Sequence, residues 1–117
     1  QTDIIEFAQK KGVPVFPGVC TPTELMLLAK HGLQVAKFFP AEQYGGLKTI
    51  RALSGPFPQM RFMPTGGINA GNIKAYLEEP KVIACGGSWM VKDSLIREKK
   101  FDEIRRLTAE AVALVRD

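Results

Sequence analysis

Val35-Ala36-Lys37-Phe38-Phe39-Pro40-Ala41-Glu42 is a short apolar run with one lysine in its middle and a proline near its end. Read as a strand, it sends Val35, Lys37 and Phe39 to one face and Ala36 and Phe38 to the other, because strand side chains alternate with a period of two. Lys37 therefore points wherever Val35 and Phe39 point. If that face is the inside of a barrel or sheet, the ammonium loses water, and burial disfavours the charged form. Neutrality at pH 7 would take about 4 kcal/mol of such disfavour, and the resulting amine would be a nucleophile for carbonyl carbon. A lysine on a solvated strand face, or one snorkelling past its neighbours, fits the same eight residues.

Three more apolar runs flank this one. Val13-Pro14-Val15-Phe16-Pro17 precedes it, with prolines that confine a strand or mark its ends, and Arg61-Phe62-Met63-Pro64 and Val82-Ile83-Ala84-Cys85 follow it. The runs, near Val15, Lys37, Phe62 and Ile83, lie 22, 25 and 21 residues apart. Each is followed by a helical pattern. Thr21-Pro22-Thr23-Glu24 starts one helix with a hydroxyl cap, a proline at the first position and a glutamate that closes a capping box; it runs through Leu25, Leu28 and Ala29 to Gly32. Leu47, Ile50 and Leu53 mark another, stopped by Ser54-Gly55-Pro56. Asn69 is read as the cap of a third, with Ile73 and Leu77 on its apolar side and Pro80 as its end. The remainder to Asp117 reads as helical, with Phe101, Ile104, Leu107, Ala111 and Leu114 on one face. A further helix over Thr2 to Lys11, carrying Ile4, Ile5 and Ala8 and stopped by Gly12, comes before the first run.

This rhythm predicts consecutive βα units and a parallel sheet. A closed (β/α)8 barrel has eight such units in about 250 residues. The expectation is therefore an α/β chain of parallel βα units forming about half of a TIM (β/α)8 barrel. It would be one partial domain over residues 1–117, four βα units preceded by a helix. A doubly wound, flavodoxin-like arrangement of the four units is the alternative.

Composition narrows the function. The formal charge of +4 comes from 16 Lys and Arg against 12 Asp and Glu. In the last third the two signs are interleaved from Lys92 to Arg106, which reads as a solvated helix face and not as a nucleic-acid stripe. Cys20 and Cys85 have no CxxC spacing, suit a reducing compartment, and read as small hydrophobes. His31 is the one histidine, and no set of His, Cys and carboxylates has ligand spacing, so no metal and no cofactor is expected. No apolar run has transmembrane length and no signal-peptide pattern is visible, so the expected place is the cytoplasm, with no membrane partner.

Two glycine turns, Thr65-Gly66-Gly67 and Gly86-Gly87-Ser88, follow the third and fourth runs directly. Glycine there lets backbone N–H groups approach a ligand, and in a barrel the loops after strands 7 and 8 frequently bind phosphate. The visible units then correspond to strands 5–8. The same glycines would also serve if only tight strand-to-helix turns were needed.

Pro17-Gly18-Val19 with Thr21-Pro22-Thr23-Glu24, Lys37-Phe38-Phe39-Pro40-Ala41-Glu42, Pro64-Thr65-Gly66-Gly67-Ile68 and Gly86-Gly87-Ser88-Trp89 together closely resemble the class I aldolases that cleave 2-keto-3-deoxy-6-phosphogluconate (KDPG) and 4-hydroxy-2-oxoglutarate (KHG). The motifs stand in the family's order and cover nearly the whole chain, as its C-terminal half. The resemblance implies a cytoplasmic lyase of Entner–Doudoroff carbohydrate metabolism. Such an enzyme releases pyruvate and an aldehyde, glyceraldehyde 3-phosphate or glyoxylate, by reversible aldol cleavage through a lysine Schiff base. It implies Lys37 as the Schiff-base lysine, with Thr65 beside the bound pyruvyl group and Phe39 packed near the imine. Gly66, Gly67, Gly87 and Ser88 fall where the family holds the phosphate or the far end of the substrate. The implied partners are a small phosphorylated keto acid and copies of the chain itself in a homo-oligomer, a trimer by resemblance, or the missing half-barrel. In the family a glutamate from an early strand is the general acid and base, and arginines from the N-terminal half bind the substrate carboxylate; these 117 residues contain none of those positions. Glu42 belongs to the lysine motif and is not that base. A phosphate-binding barrel of other chemistry, such as an epimerase or synthase, or a catalytically silent half-barrel, would keep the glycine turns without a use for Lys37.

Overall fold

The structure, a computed structural model, describes residues 1–116. The strongest local signal, Thr21-Pro22-Thr23-Glu24, opens helix α2 (Pro22–Lys30) with a complete capping box. Thr21 Oγ1 accepts from the Glu24 N–H at 3.3 Å, and the Glu24 carboxylate accepts from the Thr21 N–H at 3.0 Å. Helices α1 (Thr2–Lys10) and α2 end on Gly12 and Gly32, at φ of +66° and +71°. The N–H groups of the next residues, Val13 and Leu33, reach back to the carbonyls of Ala8 and Leu28. This six-to-one closure is the Schellman cap, which needs a left-handed residue.

Three parallel strands, β1 (Gly18–Val19), β2 (Val35–Phe38) and β3 (Arg61–Pro64), lie in the order β1-β2-β3. Helix α3 (Gly46–Ser54) connects β2 to β3; α4 (Ile73–Leu77), α5 (Asp93–Arg97) and α6 (Phe101–Val115) follow. The register sets Val19, Phe38 and Pro64 in one row and Ala36, Phe62 and Val82 in another. Both rows are buried, in a core they share with Leu25 and Leu28 of α2, Ile50 of α3 and Tyr76 of α4. The Phe38 and Phe62 rings meet edge to face, 6.4 Å between centroids, the arrangement aromatic quadrupoles favour. The chain is thus an α/β protein with a parallel sheet.

Four details differ from the sequence reading. The first strand is Gly18–Val19 and not Val13–Pro17. Pro14 and Pro17 have no N–H to give a ladder; Pro17 contributes its carbonyl instead, accepting from the Lys37 N–H at 2.9 Å.

The fourth run forms two isolated bridges, Phe62↔Val82 and Thr65↔Gly86, and not a continuous strand. Three steps along β3 and its extension are matched there by four steps along the run, so one residue bulges out. Pro64 supplies part of the reason, since it cannot donate the next rung of the ladder. Its carbonyl accepts from the Gly86 N–H at 2.9 Å, one residue later than an unbroken register would have it.

Asn69 does not cap α4, whose flanking residue is Asn72. The two asparagines instead tie the preceding loop: Asn69 Oδ1 accepts from the Gly71 N–H and Asn72 Oδ1 from the Asn69 N–H, both at 2.8 Å.

The C-terminal stretch is not one helix. A 3-10 turn at Trp89–Val91, α5 and α6 divide it. Of its expected apolar face, Ala111 is buried, Ile104 and Leu107 are half-buried, and Phe101 and Leu114 are exposed; Asp117 lies outside the described residues. The break before α6 is a third Schellman cap: Lys99 sits at φ +55°, its N–H bonds Ile96 O at 3.0 Å, and the Lys100 N–H bonds Leu95 O at 2.8 Å.

Candidate active site

Parallel register and strict alternation decide which side chains leave the sheet together. Gly18, Lys37 and Met63 are aligned across the three strands, opposite in sense to the buried row of Val19, Phe38 and Pro64. Phe39 and Thr65 lie two residues beyond Lys37 and Met63, on the same side. Lys37 is half-buried and Phe39 is exposed, so the ammonium is partly shielded on this face and not enclosed. Gly18 leaves open space beside it, since a Cβ there would meet nothing within 4 Å. Lys37 Nζ sits 5.2 Å from the centroid of the Phe39 ring, within the range at which a cation is drawn to an aromatic face.

Beyond Phe39 the backbone turns sharply, and hydrogen bonds tie this turn to the one after β3. The Ala41 N–H bonds Thr65 O at 2.8 Å, the Glu42 N–H bonds Gly66 O at 3.2 Å, and the Thr65 N–H bonds Phe38 O at 2.9 Å. Gly66 and Gly67 take φ of +101° and +77°, where a side chain would be strained. They are also crowded: a Cβ on Gly66 would lie 3.1 Å from Pro40 Cα, and one on Gly67 2.5 Å from Glu42 Cγ. Asn72 Nδ2 holds Gly67 O at 2.9 Å from the other side.

A cavity of about 340 Å³ opens here, lined by Phe39, Thr65, Gly66, Gly67, Ile68, Gly86, Gly87 and Ser88. The fold therefore brings together six of the seven residues singled out in the sequence as wall, with the seventh, Lys37, directly beneath Phe39 on the same strand face. Among the described residues, the N–H groups of Gly66, Gly67, Gly87 and Ser88 have no acceptor. Free backbone donors in glycine turns are groups that can form an anion-binding concavity. No carboxylate lines the cavity.

The surroundings contain groups that the sequence reading did not assign. The Tyr76 hydroxyl donates to Glu42 Oε1 behind the Gly67 turn. Trp89 backs the other turn, its ring standing where a Gly87 side chain would go. Both cysteines pack against the core; burial pushes the Cys85 thiol up to about 11, and burial together with the Glu24 charge raises that of Cys20. Among the described residues no group of three or more His, Cys, Asp and Glu could hold a metal ion, and no helix is long and apolar enough to cross a membrane.

A family model described as KDPG and KHG aldolase matches residues 1–107. A 2-dehydro-3-deoxy-phosphogluconate aldolase of Haemophilus influenzae is 43% identical over 113 residues, 97% of this chain and 53% of that protein. The KHG/KDPG aldolase of Escherichia coli K12 is 43% identical over 109 residues, 93% of this chain and 51% of its own. Among solved structures, KDPG aldolase from Legionella pneumophila, with pyruvate captured as a covalent carbinolamine intermediate, superimposes with a TM-score of 0.81 at 43% identity. That match covers 86% of this chain and 48% of the other. The 2-keto-3-deoxy-6-phosphogluconate aldolase of Zymomonas mobilis ZM4 with 3-phosphoglycerate gives a TM-score of 0.82 at 37% identity, covering 93% of this chain and 51% of that one. The chain spans about half the length of the curated relatives it matches. Family match and sequence identity agree over nearly all of it, and the chain belongs to the KDPG and KHG aldolase family.

Proposed function

We propose that this chain carries the covalent chemistry of a class I aldolase. Its substrates would be 2-keto-3-deoxy-6-phosphogluconate, 4-hydroxy-2-oxoglutarate or both, cleaved reversibly to pyruvate and glyceraldehyde 3-phosphate or glyoxylate. The observation that carries the reading is the single face shared by Lys37, Phe39 and Thr65 at the edge of a cavity walled by two glycine turns.

After it gives up a proton, the Lys37 amine adds to the keto carbon, and loss of water gives an imine. Once protonated, the imine nitrogen accepts the electron pair of the C3–C4 bond as that bond breaks, and the C4 hydroxyl loses its proton to become the aldehyde. The Phe39 ring, 5.2 Å from Nζ, turns its negative face to this cation and favours it. The Thr65 hydroxyl, in the wall of the same cavity, would bind the pyruvyl group, while the free N–H groups of Gly66, Gly67 and Gly87 and the Ser88 hydroxyl suit a phosphate. The relatives with captured pyruvate and with 3-phosphoglycerate support the two ends of this assignment. The C4 proton needs a base, and the cavity lining offers no carboxylate for it; the family draws that glutamate from an early strand.

The same proposal takes the four βα units as strands 5–8 of a (β/α)8 barrel, one partial domain over residues 1–117. A cytoplasmic homo-oligomer, trimeric by family resemblance, would house the complete site. Borohydride reduction of the chain with pyruvate, followed by intact mass and peptide mapping, tests it. The expected result is one pyruvyl adduct, on Lys37. No adduct in a chain with intact circular dichroism would overturn the assignment of covalent chemistry to this polypeptide and leave a catalytically silent half-barrel.

A further inference from the structure

Glu42 lies close to the turn assigned above to substrate phosphate. Its N–H bonds Gly66 O at 3.2 Å, and its side chain crosses Gly67, where a Cβ would lie 2.5 Å from Cγ and 2.6 Å from Cβ of the glutamate. Its carboxylate is thus an internal anion carried close to a turn whose Gly66 and Gly67 N–H groups have no acceptor of their own.

Tyr76 of α4, only 2% exposed, donates its hydroxyl to Glu42 Oε1. Gly46 makes room for the contact: a Cβ at that position would lie 2.6 Å from the Tyr76 hydroxyl oxygen and 3.0 Å from Glu42 Oε1. Burial and the neighbouring carboxylate both hold the phenol proton in place, raising the hydroxyl above the usual tyrosine range. The donor is therefore permanent over the working range of pH. The glutamate is drawn toward α4, into a groove that it shares with Gly46, Lys48 and Asn72 and that has no lining residue in common with the cavity of Phe39 and Ser88.

We infer that Tyr76 is a positioning residue for the anionic end of the substrate: it holds the Glu42 carboxylate back from the Gly66–Gly67 turn and so leaves that turn free for phosphate. The inference rests on the reading of this turn as an anion site. Without the Tyr76 hydroxyl, Glu42 competes for the turn from within, and a like charge beside a bound phosphate weakens it.

The test is a titration of the chain with inorganic phosphate, following the Gly66 and Gly67 amide cross-peaks by NMR, in wild type, Tyr76→Phe, Glu42→Gln and the double variant. Tyr76→Phe keeps the buried ring and should weaken phosphate about tenfold. Glu42→Gln should bind at least as tightly as wild type, and adding Glu42→Gln to Tyr76→Phe should recover the lost affinity. That rescue separates the inference from a structural role, because a distorted turn would stay weak after the charge is gone. Wild-type affinity in Tyr76→Phe, or a double variant as weak as Tyr76→Phe, overturns the inference and leaves the anion site standing. A wild-type chain with no response to phosphate overturns the anion site itself and the inference with it.

Discussion

Thr65 and Gly86 face each other so closely that a Cβ on Gly86 would lie 2.6 Å from Thr65 Oγ1 and 3.2 Å from its Cγ2. The threonine β-carbon itself stands 3.4 Å from that place, so making room at Gly86 takes Thr65 out of its rotamer or shifts the backbone.

Gly86→Ala should therefore destabilise the chain by about 1–3 kcal/mol, the usual cost of forcing an extra carbon into a packed position. It should also slow pyruvate trapping by displacing Thr65. Urea unfolding of Gly86→Ala and of Gly86→Ala with Thr65→Ala checks this. The double variant should regain most of the lost stability, and strictly additive losses would place the strain elsewhere.

Lys37→Ala should abolish the borohydride-trapped adduct and leave the fold nearly intact. The side chain is half-buried, and its recorded partner is the Phe39 ring, a contact worth about 0.5–1 kcal/mol at an exposed site. Mass spectrometry and thermal melting measure the two effects separately. An unchanged adduct in the variant would remove Lys37 from the chemistry.

Ser88→Ala should weaken phosphorylated keto acids more than pyruvate. A hydrogen bond to a charged group contributes about 1.5–3 kcal/mol, roughly ten- to a hundredfold in the concentration that gives half-maximal trapping. Pyruvate has no phosphate and should need the same concentration as before. An equal loss for both would take Ser88 out of the phosphate site.

Glu24 gives the chain an acid-sensitive joint. The Cys20 N–H, at 2.8 Å, is the largest influence holding this carboxyl below its ordinary value of 4.5, with Thr21 donating from both its hydroxyl and its N–H. A group with a lowered folded-state pKa stabilises the fold above its unfolded value and loses that contribution as the pH falls through the folded one. The unfolding midpoint of the wild type should therefore drop more between pH 6 and pH 3 than that of Glu24→Gln. At pH 6 the variant should already be weaker, because a neutral amide oxygen accepts from the Cys20 and Thr21 N–H groups less strongly than the carboxylate does. Parallel pH curves for the two proteins would contradict this.

Lys99 holds a left-handed conformation at φ +55° to close α5. For a residue with a Cβ this costs about 1–2 kcal/mol, whereas Gly12 and Gly32 do the same work without that strain. Lys99→Gly should raise stability by about 1 kcal/mol or slightly less once glycine's greater unfolded freedom is counted, and Lys99→Ala should not. Chemical denaturation of both variants decides it.

Local signals were legible wherever one short segment carries the whole physics. The capping box at Thr21–Glu24 and the stops at Gly12 and Gly32 need no distant partner, and the alternation in Val35–Phe38 separates Lys37 from Ala36 and Phe38 without one. Strand limits were not legible, because they depend on which backbone donors the neighbouring strand can use; Pro14, Pro17 and Pro64 decided them. The break at Lys99 was hidden, since no glycine marks it. The residues singled out as a site share two glycine turns and one strand, so their common placement around one cavity follows from local sequence. Tyr76 stands 34 residues from Glu42, and only the packing of α4 reveals that pair. Asn69 and Asn72 look alike as helix caps in a sequence; the loop hydrogen bonds show that both serve the turn instead.

The bulge between Val82 and Gly86 works as a change of parity. Continued without it, the pairing of Phe62 with Val82 would bring Cys85 opposite Thr65, and there a side chain has no room. The inserted step delivers Gly86 to that place and leaves Cys85 packed against the core. Chain length over these five residues is therefore as much a part of the site as any side chain in it. Among homologues, a run shortened by one residue at this point would have to carry its glycine one place earlier to keep the same cavity.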